Sequence, residues 1–216
     1  MHPTHSKSPA SPRLYLFSPP VEDTEAFGHA LSAALNSVDV AAVLLRLADA
    51  DERTQINRVK ALAPIVQDKG VALLLDGHAN LVARSGADGA HLTGIEAMNA
   101  AIEALKPDWI AGVGGLASRH DAMLAGENKA DYVMFGDAPG GRRPEFGAIL
   151  ERVEWWCEIF QVPCVALAAG MDEIAPLASA GADFIAVGDF IWSDRNGAAG
   201  ALAASARMLA LTEATA

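Results

Sequence analysis

Apolar and polar positions along the chain fall into two alternating kinds of segment. Short apolar runs, Leu14 to Phe17, Ala41 to Leu47, Ala72 to Leu75, Gly89 to Leu92, Trp109 to Val113, Tyr132 to Phe135, Cys164 to Leu167 and Phe184 to Val187, read as strands covered on both faces. Between them apolar residues return at helical spacing, as in Ile56, Val59, Leu62, Ala63 and Val66, then Ile102 and Leu105, then Ile149, Val153, Trp156 and Phe160. Strands alternating with helices predict βαβ units and a parallel sheet. Eight units in an uninterrupted chain predict a (β/α)8 TIM barrel over residues 12–216, preceded by a flexible tail over 1–11. An open, doubly wound sheet shares the alternation and is the competing fold. Its dinucleotide fingerprint is not matched, because Gly112-Val113-Gly114-Gly115 lacks the third spaced glycine and does not stand at the first βα turn.

A weak internal repeat supports equivalent units. Ser85-Gly86-Ala87-Asp88-Gly89, Lys129-Ala130-Asp131-Tyr132 and Ala180-Gly181-Ala182-Asp183-Phe184 each set a small residue and an aspartate just before a strand. Gly86 and Gly181 suit helix C-caps. Asp88, Asp131 and Asp183 fall at the amino end of the predicted barrel, where they are expected to serve the turn rather than a reaction.

Composition narrows the partners. The 216 residues are 51% hydrophobic and 20% charged, enough for a full core in one domain. The formal net charge of -11, with no stripe of Lys or Arg, argues against nucleic acid and against an acidic membrane surface. The longest apolar run, Val38 to Ala48, is interrupted by Asp39 and Arg46 and is too short for a membrane span. Met1 to Ser11 lacks the apolar stretch of a secretory signal, and Cys157 and Cys164 read as free thiols, so a cytoplasmic location is expected.

In a barrel of this kind the ligand site lies where the strands end. The residues there are Arg46 and Asp49; Asp76, Gly77 and His78; His91 and Thr93; Gly114 and Gly115; Gly136 and Asp137; Ala168 to Gly170; and Gly188 and Asp189. Glycines at such ends either shorten turns or let backbone N–H groups approach a phosphate.

The run from Asp76 to Leu92, containing Gly86-Ala87-Asp88-Gly89-Ala90-His91-Leu92, resembles the thiamin phosphate synthase signature, in which an Asn-Asp strand end leads to Gly-Ala-Asp-Gly-Val-His-Leu. Ala130 to Gly136, Val162 to Leu167 and Ala180 to Val187 are similar in order and spacing, and the resemblance spans about Leu14 to Trp192. It implies chemistry in which a magnesium-bound hydroxymethylpyrimidine diphosphate loses pyrophosphate and a thiazole phosphate nitrogen attacks the resulting cation. Cations must then surround the leaving group. Carried over by position, the family's Gln-x-Arg-x-Lys strand end becomes Leu44, Arg46 and Ala48. Its Asn-Asp pair becomes Asp76 and Gly77, and a second metal-binding aspartate becomes Glu96. Its Gly-x-Ser loop falls at Gly112 to Gly115 without the serine. Its Thr-x-Thr-Lys loop becomes Gly140-Gly141-Arg142-Arg143, and its Gly-Gly phosphate loop becomes Ala168-Ala169-Gly170. Its last phosphate-binding step becomes Gly188-Asp189.

The resemblance therefore implies Arg46 and Arg143 as catalytic candidates, and His91 joins them as a general-base candidate beside its reading as a barrel-lining histidine with a local hydrogen bond. Gly114, Gly115, Gly170, Gly188 and Asp189, with Asp137 from the strand ends, are expected around the substrate and its phosphates, and the resemblance implies Asp76 with Glu96 as ligands for Mg2+. A carboxylate at Asp189 about 4 Å from a phosphate costs on the order of 4 kcal/mol at an effective dielectric near 20. Asp49, Asp76, Asp137 and Asp189 together predict a mouth more acidic than a diphosphate prefers.

Three functions follow. The chain is a synthase acting on small phosphorylated metabolites, with activity kept or altered. Alternatively it is a diverged binding or tautomerase-like barrel in which His91, His78 or His120 moves a proton. The third is a non-catalytic paralogue working through protein contacts, with Trp155, Trp156, Phe160 and Trp192 as a candidate surface for a homo-oligomer.

Overall fold

Residues 11–137 and 142–213 are described by the structure, a computed structural model. Most of the expected tail and the Gly140-Gly141 step lie outside them. The strands are β1 (Arg13–Phe17), β2 (Val40–Leu45), β3 (Ala72–Asp76), β4 (Gly89–Thr93), β5 (Ile110–Gly114), β6 (Tyr132–Phe135), β7 (Cys164–Leu167) and β8 (Phe184–Val187). Each pairs in parallel with the next, and β8 closes onto β1 through Leu14 opposite Ile185 and Leu16 opposite Val187. That closure rules out the open sheet. The fold is an eight-stranded parallel TIM barrel.

The second strand stops two residues earlier than its apolar run predicts. Pro19 and Pro20, which lack amide hydrogens, turn the chain after β1. Val21 then donates to Arg46 O at 2.8 Å and accepts from Ala48 N, so Leu47 leaves the ladder for an isolated bridge with Val21.

Strand alternation sorts the apolar residues into two cores. Tyr15, Ala42, Leu44, Leu74, Tyr132, Met134, Val165 and Ala186 fill the barrel. Their neighbours, such as Leu14, Leu16, Val43, Leu45, Leu73, Leu75, Val133 and Ile185, pack outward against the helices. Helix α1 is Thr24–Leu35, and α2 (Glu52–Gln67) buries all five apolar residues that its periodicity names. A 3-10 turn at Ala79–Leu81 and α3 (Val82–Ser85) link β3 to β4, ending on Gly86 at φ 83°. Then follow α4 (Gly94–Leu105), α5 (Arg119–Glu127), α6 (Phe146–Ile159), α7 (Met171–Ser179), α8 (Asp189–Trp192) and α9 (Ala198–Glu213). Among the described residues no helix is long and apolar enough to cross a membrane.

The repeated aspartates tie strands together at the amino end. Asp88 Oδ2 accepts the Leu73 N–H at 2.7 Å, Asp131 Oδ2 that of Ala111 at 2.7 Å, and Asp183 Oδ2 that of Cys164 at 2.9 Å. In each case the aspartate before an even strand satisfies an amide at the start of the preceding odd strand. Before β2, Asp39 instead binds the Arg13 guanidinium of β1.

Candidate active site

A cavity of about 430 Å³ opens at the carboxyl end of the strands. Register delivers its lining. Arg46 extends β2, Asp76 ends β3, His91 lies opposite Asp76 on β4, and Asp137 and Gly188 follow β6 and β8. With Thr93, Arg143 and Asp189 they form the polar wall, while Phe17, Leu44, Leu167 and Phe190 form the apolar one.

Beneath the cavity runs a buried chain of hydrogen bonds. Tyr15 Oη lies 2.9 Å from Tyr132 Oη, which lies 3.0 Å from His91 Nδ1. The His91 and Tyr132 rings stack 12° from parallel. Burial pushes both phenols above their usual range, so they keep their protons, and it pushes His91 down to about 4, so the imidazole is neutral near pH 7. If Tyr15 donates to Tyr132 and Tyr132 to Nδ1, the imidazole proton sits on Nε2. An ionised Asp137, whose Oδ2 is 4.0 Å from Nε2, favours that tautomer.

Asp137 is itself pushed up to about 6 by burial, against the Gly115 N–H that its Oδ2 accepts at 2.6 Å. The glycines after β5 make this arrangement possible. A Cβ on Gly112 would stand 1.9 Å from Tyr132 Cζ, and one on Gly114 would stand 2.2 Å from Asp137 Oδ2 and 2.9 Å from His91 Nε2. Gly112 and Gly114 therefore clear room for side chains, and the Gly115 amide is engaged by Asp137. Asp76, also largely buried, is held above the usual carboxylate range by desolvation, against Arg46 and His78.

Each arginine of the cavity meets an acid. Arg46 Nη2 contacts Asp189 Oδ1 at 2.5 Å, and its Nε donates to Ser18 O. Asp189 is 85% exposed, so its charge is turned to Arg46 at the rim. That answers part of the repulsion expected between Asp189 and a phosphate. Arg143 is bound more completely. It forms a bidentate pair with Glu173, at 2.9 and 2.6 Å, and donates to Gly136 O and Leu167 O. Glu173 also accepts the Ala169 N–H at 2.7 Å. Arg143 thus clasps the ends of β6 and β7 to the first turn of α7.

Other candidates stand apart from the lining. Glu96 is exposed on the first turn of α4, Gly170 caps α7, and Asp49 is exposed beyond β2. His120 is exposed on the first turn of α5, and His78 is half-buried beyond β3. Trp155 is half-buried within the chain, 5.3 Å from the Phe160 ring, with the Arg119 guanidinium 4.9 Å above it. Trp192 donates to Phe17 O at 2.6 Å, so both tryptophans are engaged inside one chain.

A family profile described as thiamine monophosphate synthase matches residues 14–191, from within β1 through β8 into α8. The chain belongs to the thiamine monophosphate synthase family. A thiamine-phosphate synthase of Rhodospirillum centenum is 44% identical over 195 residues, covering 88% of this chain and 94% of the relative. One of Hyphomonas neptunium is 39% identical over 202 residues, covering 89% and 91%. Among solved structures, the thiamine phosphate pyrophosphorylase of Pyrococcus furiosus superposes with a TM-score of 0.74 at 20% identity, covering 93% and 96% of the two chains. The 3-hexulose-6-phosphate synthase of Salmonella typhimurium superposes at 0.71 with 15% identity, covering 92% and 99%. At such identities these two speak for the barrel alone. Of the positions where this chain departs from the synthase pattern, Leu44, Asp76, Arg143, Ala168, Ala169, Gly188 and Asp189 line the cavity.

Proposed function

We propose that the protein is a working thiamin phosphate synthase, joining a hydroxymethylpyrimidine diphosphate to a thiazole phosphate with release of pyrophosphate. The observation that carries this reading is the convergence of Arg46, just past β2, Asp76 of β3 and His91 of β4 upon one cavity in a chain 44% identical to a protein of that name. Arg46 is the cation for the leaving diphosphate, since it lines the cavity and its counter-ion Asp189 is exposed at the rim. Arg143 holds the ends of β6 and β7 against α7 at the cavity wall, because Glu173 already balances its charge. The apolar wall receives the rings and excludes water from the cation formed when the C–O bond breaks.

Magnesium suits this donor set in one form. Mg2+ binds through one or two carboxylates plus substrate phosphates and water. Asp76, which lines the cavity, would be the carboxylate to meet it, whereas Glu96 lies outside the lining on the exposed first turn of α4. Bound there, the ion would neutralise charge on the leaving group. The acidic composition and the presence of only two cysteines in the sequence support a cytoplasmic location.

Purified protein given both substrates and magnesium is expected to form thiamin phosphate, measured by fluorescence after oxidation. Arg46→Ala should lower kcat/KM by about a hundredfold, the scale of one lost charge-assisted contact to phosphate. No product at high enzyme concentration would overturn the reading.

A further inference from the structure

Tyr15, Tyr132 and His91 stand in line below the cavity, and the protons they carry decide what His91 can do. Three groups in a line make two contacts, Tyr15 Oη to Tyr132 Oη at 2.9 Å and Tyr132 Oη to His91 Nδ1 at 3.0 Å. Each contact holds one proton. The two phenols bring two, since a phenol keeps its proton at neutral pH and burial holds it more firmly still. Both tyrosines are buried, and among the described residues neither hydroxyl has a hydrogen-bond partner outside this line. A third proton, on Nδ1, would turn both phenols the other way and leave the Tyr15 hydroxyl with no acceptor, which a folded core avoids. Tyr15 therefore donates to Tyr132, and Tyr132 donates to Nδ1.

The imidazole proton then stands on Nε2, the nitrogen 4.0 Å from Asp137 Oδ2 in the cavity wall. A ring nitrogen that already carries a proton has no free lone pair with which to take another. The backbone is shaped to keep this line in place, because a Cβ on Gly112 would stand 1.9 Å from Tyr132 Cζ. We propose that Tyr132, backed by Tyr15, is a positioning residue that locks His91 in its Nε2–H tautomer, so that His91 serves the cavity as a hydrogen-bond donor and not as a base. What the donor does rests on the synthase reading above. In that reaction the C–O bond breaks with its electron pair going to the diphosphate, and the thiazole nitrogen bonds to carbon through its lone pair, with no proton to surrender. A base has no step to perform there, whereas a fixed N–H answers growing negative charge. A tautomerase-like use of His91 needs the lone pair that the tyrosines deny it.

The test uses the full chain with its histidines labelled with 15N. Near pH 7, long-range 1H–15N spectra of wild-type protein should show His91 Nε2 in the range of a protonated ring nitrogen and Nδ1 in that of a bare one. Tyr132→Phe should move the Nδ1 resonance downfield, as for a bare nitrogen that loses its donor, with the other histidine signals in place to report that the variant is folded. Kinetics give an independent reading. His91→Gln sets a side-chain N–H where that of Nε2 stood but offers no base, and should keep kcat/KM within about tenfold of wild type. His91→Ala should lose about a hundredfold, the scale of one hydrogen bond to a charged group. A proton on Nδ1 in wild-type protein, an Nδ1 resonance unmoved by Tyr132→Phe, or a His91→Gln variant as impaired as His91→Ala overturns the inference. Absence of thiamin phosphate from the wild-type reaction overturns the synthase reading alone, and the nitrogen spectra still decide the tautomer.

Discussion

His91 and Asp137 share one pocket floor, and the same burial drives their titrations in opposite directions. Folding moves His91 from its usual 6.5 down to about 4 and Asp137 from 3.8 up to about 6. Between those limits the unfolded chain carries the proton on the histidine and the folded chain carries it on the aspartate. The count of bound protons is the same in both states, so the pair adds no slope to stability against pH. Removing either member exposes the other. In Asp137→Asn, the surviving member's contribution to stability should fall as pH drops below 6.5 toward 4, by on the order of 2 kcal/mol between pH 7 and 5. In a His91→Asn variant it should rise as pH is lowered through 6 toward 3.8. Urea unfolding at pH 7 and 5 measures both, and three identical pH responses would contradict the account.

Sequence reasoning reached much of this site and missed its supports. Arg46, Asp76, His91, Asp137 and Asp189 each follow or end an apolar run, so the rule that ligands sit at strand ends brings them together without any contact being known. Tyr15 and Tyr132 gave no such signal, because each reads as one more apolar strand residue and their hydroxyls meet across 117 positions of chain. Glu173 sits in the first turn of a helix, where acids are common for their effect on the helix dipole alone, so its pairing with Arg143 leaves no local trace.

Strands and helices show the same division between local and distant information. All eight strands follow from short apolar runs, and α2 follows from its five-residue stripe, since burial of one face is written in consecutive residues. The end of β2 was not legible, because it depends on Val21 returning from the other side of Pro19 and Pro20. The aspartate repeat was legible as a pattern, but its action on the neighbouring strand was not. That action has a measurable size. Asp88→Ala leaves the Leu73 amide without its acceptor and should lower unfolding free energy by about 1–3 kcal/mol. A denaturant midpoint unchanged from wild type would show that water replaces the carboxylate at no cost.

Over the whole molecule the two ends of the barrel divide the work. Asp88, Asp131 and Asp183 stitch strands at the amino end, while Arg46, Asp76, His91 and Asp137 face the cavity at the other. Substitutions at the first end should therefore change melting temperature with KM intact, and those at the rim should do the reverse. Asp189→Asn is the clearest case. It removes an exposed acid from Arg46 and should tighten magnesium pyrophosphate binding severalfold by calorimetry, with a melting temperature within about 1 °C of wild type, as expected for a surface change. Weaker binding in that variant would assign Asp189 a direct part in holding the ligand.

The contact between Arg46 and Asp189 has a consequence for selectivity in a crowded cell. Because the carboxylate is tethered beside the guanidinium, it occupies that place at a high effective concentration whenever the pocket is vacant. A lone phosphoryl group, such as those on abundant sugars, offers little advantage over this resident rival. A diphosphate brings more charge and further points of attachment, so the tether screens visitors by valence before any ring is read.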